Sequence, residues 1–512
     1  MKVVNELDEE KVTGEDNKNC SSPDHEEVAE SKQNNQGFLR IKKFHFVMLL
    51  FFLVFITAGI TTFALAFGDE ESAVKIIRER EEFEKLYQAF DTLQDSYFEE
   101  VDQDQLINGA INGMLDSLDD PYSDYMNQDD AQNFHESISS SFEGIGAEIQ
   151  EKDGYIGIVS PLKGSPAEKA GLKPEDVVLS VDGQSLQGMS SSEAVTLIRG
   201  EKGTKVNLTI RRQGIENPIE VTITRDTIPL ETVYGEMIEG EDGIGKVQIT
   251  NFSQNTSKEL VDVLNDLQEK GMKGLVLDIR QNPGGLLDQA VNISSLFVPS
   301  GKVLFKVEDR DGNVKEYTSN NEGSAEFPLV VLIDKGSASA SEILAGAVNE
   351  SAGVPLVGEK SFGKGTVQRA QDFSDGSNIK FTTEKWLTPN GNWVHKEGIT
   401  PDYEVALPAY AALPFINPET ELKISTASEH VKAAQQMLKA VGYDPGREDG
   451  YFDEKTEQAV MNFQEDEKLE QTGILSGETT IQLMTKLREK IQNNDPQIEK
   501  AIEVLKEEME KE

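Results

Sequence analysis

Hydrophobic and polar positions follow different rhythms along this chain, and each rhythm predicts a different element. FHFVMLLFFLVFITAGITTFALAF runs from Phe44 to Phe67 without Asp, Glu, Lys or Arg. A helix needs about 20 such residues to cross a bilayer core. Residues 44–67 are therefore expected to be a transmembrane anchor. Arg40, Lys42 and Lys43 precede it, and Asp69, Glu70 and Glu71 follow. That bias puts the N-terminus in the cytoplasm and the rest outside the cell membrane. Ala64-Leu65-Ala66 resembles a signal-peptide cleavage site, but the long polar segment in front favours an uncleaved anchor.

Beyond the anchor the period becomes helical. In ESAVKIIREREEFEKLYQAFDTLQDSYF, Phe83, Leu86, Phe90 and Leu93 share one stripe. QLINGAINGMLDSL is a second helical piece, ending before Asp119-Asp120-Pro121. Residues 72–136 read as a helical region packing on another domain or a second subunit, which suggests a homodimer. Residues 137–226 switch to short strands and Gly turns. Residues 227–408 alternate strands with helices. Their continuous apolar runs, GMKGLVLDIR and FPLVVLID, suit a covered, mostly parallel sheet.

The helical period returns over 425–490. Val431, Ala434, Leu438 and Val441 fall on one face, and Gly442 can end that helix. Residues 1–43 are polar and acidic, and read as a disordered cytoplasmic tail. Residues 491–512 form an acidic tail, read as a solvated helix or disorder.

Composition narrows the functional classes. The 512 residues carry a formal charge of -43, so nucleic acid is not an expected partner. The single cysteine, Cys20, lies before the apolar run, leaving no disulfide or thiol chemistry beyond it. His25, His45, His135, His395 and His430 are scattered, with no H-E-x-x-H. There is also no G-x-S-x-G elbow. No metal and no cofactor are expected, and a hydrolase here needs a base other than histidine.

GEKSFGKGTVQ, residues 358–368, fits most of a phosphate-binding loop, G-x-x-x-x-G-K-[ST]. Gly365 stands where the Mg²⁺-holding Ser or Thr belongs, and the residues downstream read as strands where such a loop needs a helix. Lys364 has a second reading. Neutral lysine is a general base once its pKa of about 10.4 falls to roughly 7–8, a cost of about 4 kcal/mol that burial can impose. Ser339, in GSASASE, follows a strand and opens a helix whose free N–H groups can hold an oxyanion. Ser339 with Glu342 is equally an S-x-x-E capping box. From the residues alone both readings of Ser339 stand. Ser337 and Ser341 read as turn and cap residues.

Three resemblances sharpen this. GSPAEKAGLKPEDVVLSVDGQSLQGMSSSEAVTLIRGEKGTKVNLTIRR resembles a PDZ domain, with Gly144, Ile145, Gly146 and Ala147 where the carboxylate-binding loop belongs. Asp449-Gly450, Phe452, Thr456, Ala459, Val460, Phe463, Gln464, Thr472-Gly473 and Thr479 are similar to small three-helix peptidoglycan-binding domains, with a helical packing or dimer module as the alternative. NPGG, GSASASE, FGKGTVQ, TPNG and GITPD resemble the carboxy-terminal processing (tail-specific) protease family.

The resemblance implies a multidomain α/β protein. Its parts are a crotonase-like serine endopeptidase core, a PDZ domain, an N-terminal helical region and a small three-helix C-terminal domain, with one transmembrane helix. It implies Ser339 as nucleophile, Lys364 as base and Gln368 as the residue orienting it. Ala340 and Gly285, rather than Gly284, would supply the oxyanion hole. Residues 364 and 368 lie about 13 Å apart on an ideal strand, so a Lys–Gln contact needs a bulge or turn. Substrates would be proteins or peptides with apolar C-termini, and Arg199 is a candidate for gating by the PDZ domain. Peptidoglycan is a further expected partner. The competing class is a non-catalytic PDZ scaffold at the cell wall.

Overall fold

The computed structural model describes residues 43–67, 81–152, 154–320 and 327–511. The chain divides into two compact units, Met1–Phe98 and Glu99–Glu512. The disordered tail expected over most of residues 1–43 lies outside the described residues.

In the first unit, Lys43–Phe67 and Glu84–Ser96 are helices. Of the predicted stripe along the second, Leu86 and Leu93 are exposed and Phe83 and Phe90 are part-buried, and no residue of that helix is buried. The expected membrane anchor is not supported. Among the described residues no helix is long and apolar enough to cross a membrane. The single-pass topology and extracytoplasmic placement rested on that anchor and fall with it.

The second unit is organised by a six-stranded sheet. Its order is Val233–Met237, Ile244–Ile249, Gly274–Asp278, Leu329–Ile333, Leu356–Gly358 and Tyr403–Glu404. The first pairing is antiparallel and the rest are parallel. GLVLD and LVVLI are buried at every position because both faces are covered. Leu275, Leu277, Val331 and Ile333 join the core formed with the helices Thr256–Glu269, Leu287–Phe297 and Ala340–Ala352. The alternate residues Val276, Val330 and Leu332 face the other side, where they meet Ala501, Val504 and Leu505.

Those last three belong to a helix, Pro496–Met509, in the segment expected to be solvated or disordered. The acidic composition hid a stripe, Ile498, Ala501, Val504 and Leu505, at helical spacing. Arg280 anchors its start. Its guanidinium forks onto Asp278 at 2.7 and 2.9 Å, and Nη1 reaches Asp495 at 2.8 Å and Gln497 at 2.6 Å.

A second sheet pairs Asn378–Leu387 with Thr366–Asp372, Val303–Glu308 and the short strand Asp124–Met126. Residues around 147–224 form a separate sheet with its own core, and Ala147–Lys152 is its edge strand. Glu429–Ala440, Glu454–Asp466 and Gly477–Asn493 pack as three helices. In that domain buried Gln464 donates to Thr472, Ile474 O and Thr479 and accepts from Gly473 N–H. These bonds tie Gln464, Thr472, Gly473 and Thr479 into one network.

Candidate active site

Three loops leave the carboxyl ends of adjacent parallel strands, where open α/β sheets place their ligands. Gly274–Asp278 leads into Asn282-Pro283-Gly284-Gly285, Leu329–Ile333 into Ser339, and Leu356–Gly358 into Lys364. Ser339 opens the helix Ala340–Ala352 at φ 54°, ψ -112°. An ordinary N-cap is extended, so this residue is strained in a way that capping does not require. The expected capping box with Glu342 is present all the same.

Glu342 does the joining. It is fully buried. One carboxylate oxygen accepts from Ser339 N–H at 2.9 Å and Lys364 N–H at 2.8 Å. The other accepts from Ser361 Oγ at 2.6 Å and Gly363 N–H at 2.7 Å. The carboxylate read as half of a cap thus ties the Ser339 turn to the Lys364 loop. Ser337 and Ser341 also reach beyond turn and cap. Ser337 Oγ donates to Ile279 O and Ser341 Oγ to Asn282 O.

Asn282 holds the glycine loop against the same turn. Its carbonyl accepts from Ala338 N–H at 3.0 Å, and its Oδ1 takes Gly284 N–H at 2.9 Å. A Cβ on Gly284 would lie 2.9 Å from Ala340 N and 3.0 Å from Ser339 Cβ, so only glycine lets the loop approach. Gly284 N–H is therefore engaged. Among the described residues, the N–H groups of Gly285 and Ala340 donate to no partner.

Lys364 is largely buried, and its Nζ lies 4.9 Å from the centre of the Tyr122 ring. Burial, then the positive charge of Lys380, pushes its amine below the usual lysine range; Asp120 and Glu342 oppose this. No carboxylate is ion-paired with it among the described residues. Gly365 is explained by packing: a Cβ there would meet His395 N at 2.7 Å and Trp393 Nε1 at 2.8 Å. The residues after it form the strand Thr366–Asp372, which removes the phosphate-loop reading.

The pairing shifts register between Val367 and Gln368, the irregularity a Lys–Gln contact needs. Yet Gln368 is not hydrogen-bonded to Lys364. Its Nε2 donates to Thr366 and Thr382 hydroxyls at 2.9 and 3.1 Å.

Away from these loops, Gly144 ends one strand and Ala147 begins the edge strand, with buried Ile145 and Gly146 between. Gly146 has φ 72°, and a Cβ would lie 2.6 Å from that of Ser165. The carbonyls of Ile145 and Gly146 accept from Ala167 and Leu162 N–H, while their own N–H groups have no partner among the described residues. Arg199 ends the neighbouring helix Ser191–Ile198. Its guanidinium pairs with Glu136 and lies over the Phe142 ring at 4.9 Å.

Comparison with known proteins assigns these parts. The profile of Peptidase family S41 matches residues 243–405, the stretch holding all three loops. Carboxy-terminal processing protease CtpA of Bacillus subtilis (strain 168) is 48% identical over 464 residues, 90% of this chain and 99% of its own length. The chain belongs to peptidase family S41. It is thus a carboxy-terminal processing serine protease, a hydrolase. A second S41 relative, carboxy-terminal processing protease CtpB of the same organism, is 44% identical over 82% of this chain and 88% of its own. A photosystem II D1 C-terminal processing protease of solved structure is 30% identical over 63% of this chain and 90% of its own, with TM-score 0.38. Further profiles match a PDZ domain at 157–212, a peptidoglycan binding domain at 427–483 and the activating protease CtpB N-terminal domain at 64–130.

Sequence reasoning missed two features of this S41 site. Glu342 was visible only as a cap because its second set of partners lies about 20 residues on. Asp120 was read only as following the end of a helix and Tyr122 was not singled out, though Asp120 beside Pro121 and an aromatic is a fixed-turn signal.

Proposed function

We propose that this S41 protease cuts with Ser339 as nucleophile and Lys364 as general base. The observation carrying the reading is the buried Glu342 carboxylate, which binds the N–H of both residues at 2.9 and 2.8 Å. One rigid group thereby sets the relation between nucleophile and base.

Neutral Lys364 takes the Ser339 proton, and Oγ attacks the scissile carbonyl carbon. The developing oxyanion lies between the uncommitted N–H groups of Ala340 and Gly285. The engaged N–H of Gly284 argues against that residue as donor. Collapse breaks the C–N bond, and the lysine ammonium returns its proton to the leaving amine. Water, deprotonated by the same amine, then hydrolyses the acyl-enzyme. Gln368, held through its Nε2, keeps Oε1 to orient the lysine as the site closes on substrate.

Substrates are proteins with apolar C-termini. The free N–H groups of Ile145 and Gly146 suit a terminal carboxylate, with Gly144 and Ala147 framing them, and the edge strand Ala147–Lys152 suits β-addition of the peptide. Arg199, between that loop and Glu136, would report occupancy and gate the site. Peptidoglycan is the proposed partner of the C-terminal three-helix domain. The uncovered stripe of Leu86 and Leu93 is the proposed homodimer surface.

The test uses the full chain as wild type, Ser339→Ala and Lys364→Ala, each incubated with an unfolded protein ending in apolar residues. Fragments are followed by mass spectrometry. Wild type alone should cleave, with each variant reduced at least ~10³-fold. Equal cleavage by all three would refute the assignment.

A further inference from the structure

We propose that Tyr122 is a positioning residue for Lys364, its ring roofing the amine so that the segment 119–126 completes the catalytic site. This rests on the reading of Lys364 as base.

The segment is docked where the lysine lies. Asp124–Met126 pairs antiparallel with Asn378–Lys380 of the long strand, and Ser123 Oγ accepts from Thr382 N–H at 3.2 Å. Asp120 fixes the turn, taking Tyr122 N–H at 3.1 Å and Ser123 Oγ–H at 2.6 Å. Tyr122 has little freedom left, and its ring centre is 4.9 Å from Lys364 Nζ.

The roof is backed by further rings. His395 meets Tyr122 edge-on, with centroids 6.1 Å apart, and stacks on Trp393 at 5.0 Å and 16°. Trp393 Nε1 donates to Gly365 O at 2.8 Å, and Trp386 Nε1 donates to Lys364 O at 2.8 Å. The aromatic chain starts over the lysine side chain and returns to the backbone beside it. Gly365, lacking a Cβ, lets Trp393 and His395 come that close. His395 Nδ1 is buried here without a hydrogen-bond partner, as expected of a ring placed for its face.

Two effects of the ring on Lys364 oppose each other. A face over an ammonium attracts the charge. A ring that keeps water out disfavours it. The groups facing the amine are Asp120, Tyr122, Glu342 and Lys380, with His395 behind Tyr122. Burial is the largest influence on Lys364 and acts toward the neutral form. Lying 4.9 Å from the amine, the ring is part of what covers it, and on this proposal its share of the burial works toward the neutral form.

The experiment is the pH profile of kcat/KM for the full chain, on a peptide with an apolar C-terminus. Wild type, Tyr122→Ala, Tyr122→Leu, Tyr122→Phe and Lys364→Ala are compared. Activity needs neutral lysine, so opening the roof should move the acid limb of Tyr122→Ala up by about one pH unit. Its rate then falls about tenfold near neutrality and recovers at alkaline pH. Tyr122→Phe should restore the wild-type limb, and Tyr122→Leu should lie between.

A Tyr122→Ala profile lowered evenly at all pH, or moved to lower pH, would overturn the proposal. So would Tyr122→Phe behaving like Tyr122→Ala, since the hydroxyl would then matter and not the ring. Should Tyr122→Ala not fold, Tyr122→Leu alone decides by the direction of its limb. Lys364→Ala keeps the two ideas apart: if it still cleaves, the lysine reading itself has failed, whatever Tyr122 does.

Discussion

The protease part is closed at two places by segments far apart in the chain, and they close it in different ways. At the carboxyl ends of the strands, residues 119–126 and the loops carrying Gly284, Ser339 and Lys364 make a polar, aromatic, partly exposed assembly. It is held by hydrogen bonds to Glu342, Asn282 and Asp120. On the flat face behind it, Pro496–Met509 seals the strands with Ala501, Val504 and Leu505, all fully buried. Removing apolar surface from water is non-directional and roughly proportional to area. Hydrogen bonds to a buried charge are directional and costly to leave unmade. The first closure should thus govern geometry and rate, and the second stability.

Glu342→Gln should produce the largest break. A carboxylate accepts from four donors here. An amide turns one oxygen into a donor that must face two of them. We expect kcat/KM to fall at least ~100-fold and stability to drop by about 3 kcal/mol. Urea unfolding and peptide cleavage on the same preparation measure both. Near-normal cleavage would show that the Ser339 turn and Lys364 loop find their relation without Glu342.

Leu505→Ala comes next, and it should separate the two closures. Its cavity should cost about 2–5 kcal/mol in unfolding free energy. Folded enzyme should keep its kcat/KM, because Leu505 touches the sheet face and not the loops. A rate loss out of proportion to the unfolded fraction would mean that the closures are coupled.

The contrast also explains what could be read beforehand. The strands, turns and helix around Ser339 and Lys364 were legible because their signals are local: an apolar run, a glycine turn, a helix start. The PDZ-like and three-helix parts were legible for the same reason. Closures were not, because they join distant stretches. Tyr122 meets a lysine more than 200 positions away, and nothing in PYSDY marks that meeting. Leu505 sits in KAIEVLKEEMEKE, where charge density masks a four-residue stripe. Gln368 was half legible: the bulge was required and is present, but its amide turned to Thr366 and Thr382, whose hydroxyls strand spacing cannot aim. Hydropathy over residues 44–67 was read as a membrane span, and no helix among the described residues is long and apolar enough to support that reading.

The smallest expected effect on stability is the most telling, because its sign is opposite to that of the effect on rate. Burial holds the Lys364 amine below the ordinary lysine range. The unfolded chain therefore binds more protons than the folded one between the lowered value and about 10.4, and stability rises with pH across that window. Below the window the folded protein must bury a charged ammonium; above it, both states are neutral and the cost is gone. Lys364→Met, which fills similar space without charge, should accordingly be inactive yet more stable than wild type near neutrality. The gain should shrink as the pH rises toward the usual lysine range. Urea midpoints for the two proteins at about pH 6, 8 and 10 would test this. A gain independent of pH would point to better packing alone. A gain that grows with pH would mean that the lysine is stabilised as an ammonium, leaving the base without the environment it needs. The expected pattern would identify Lys364 as a group that lowers stability and is kept for its chemistry.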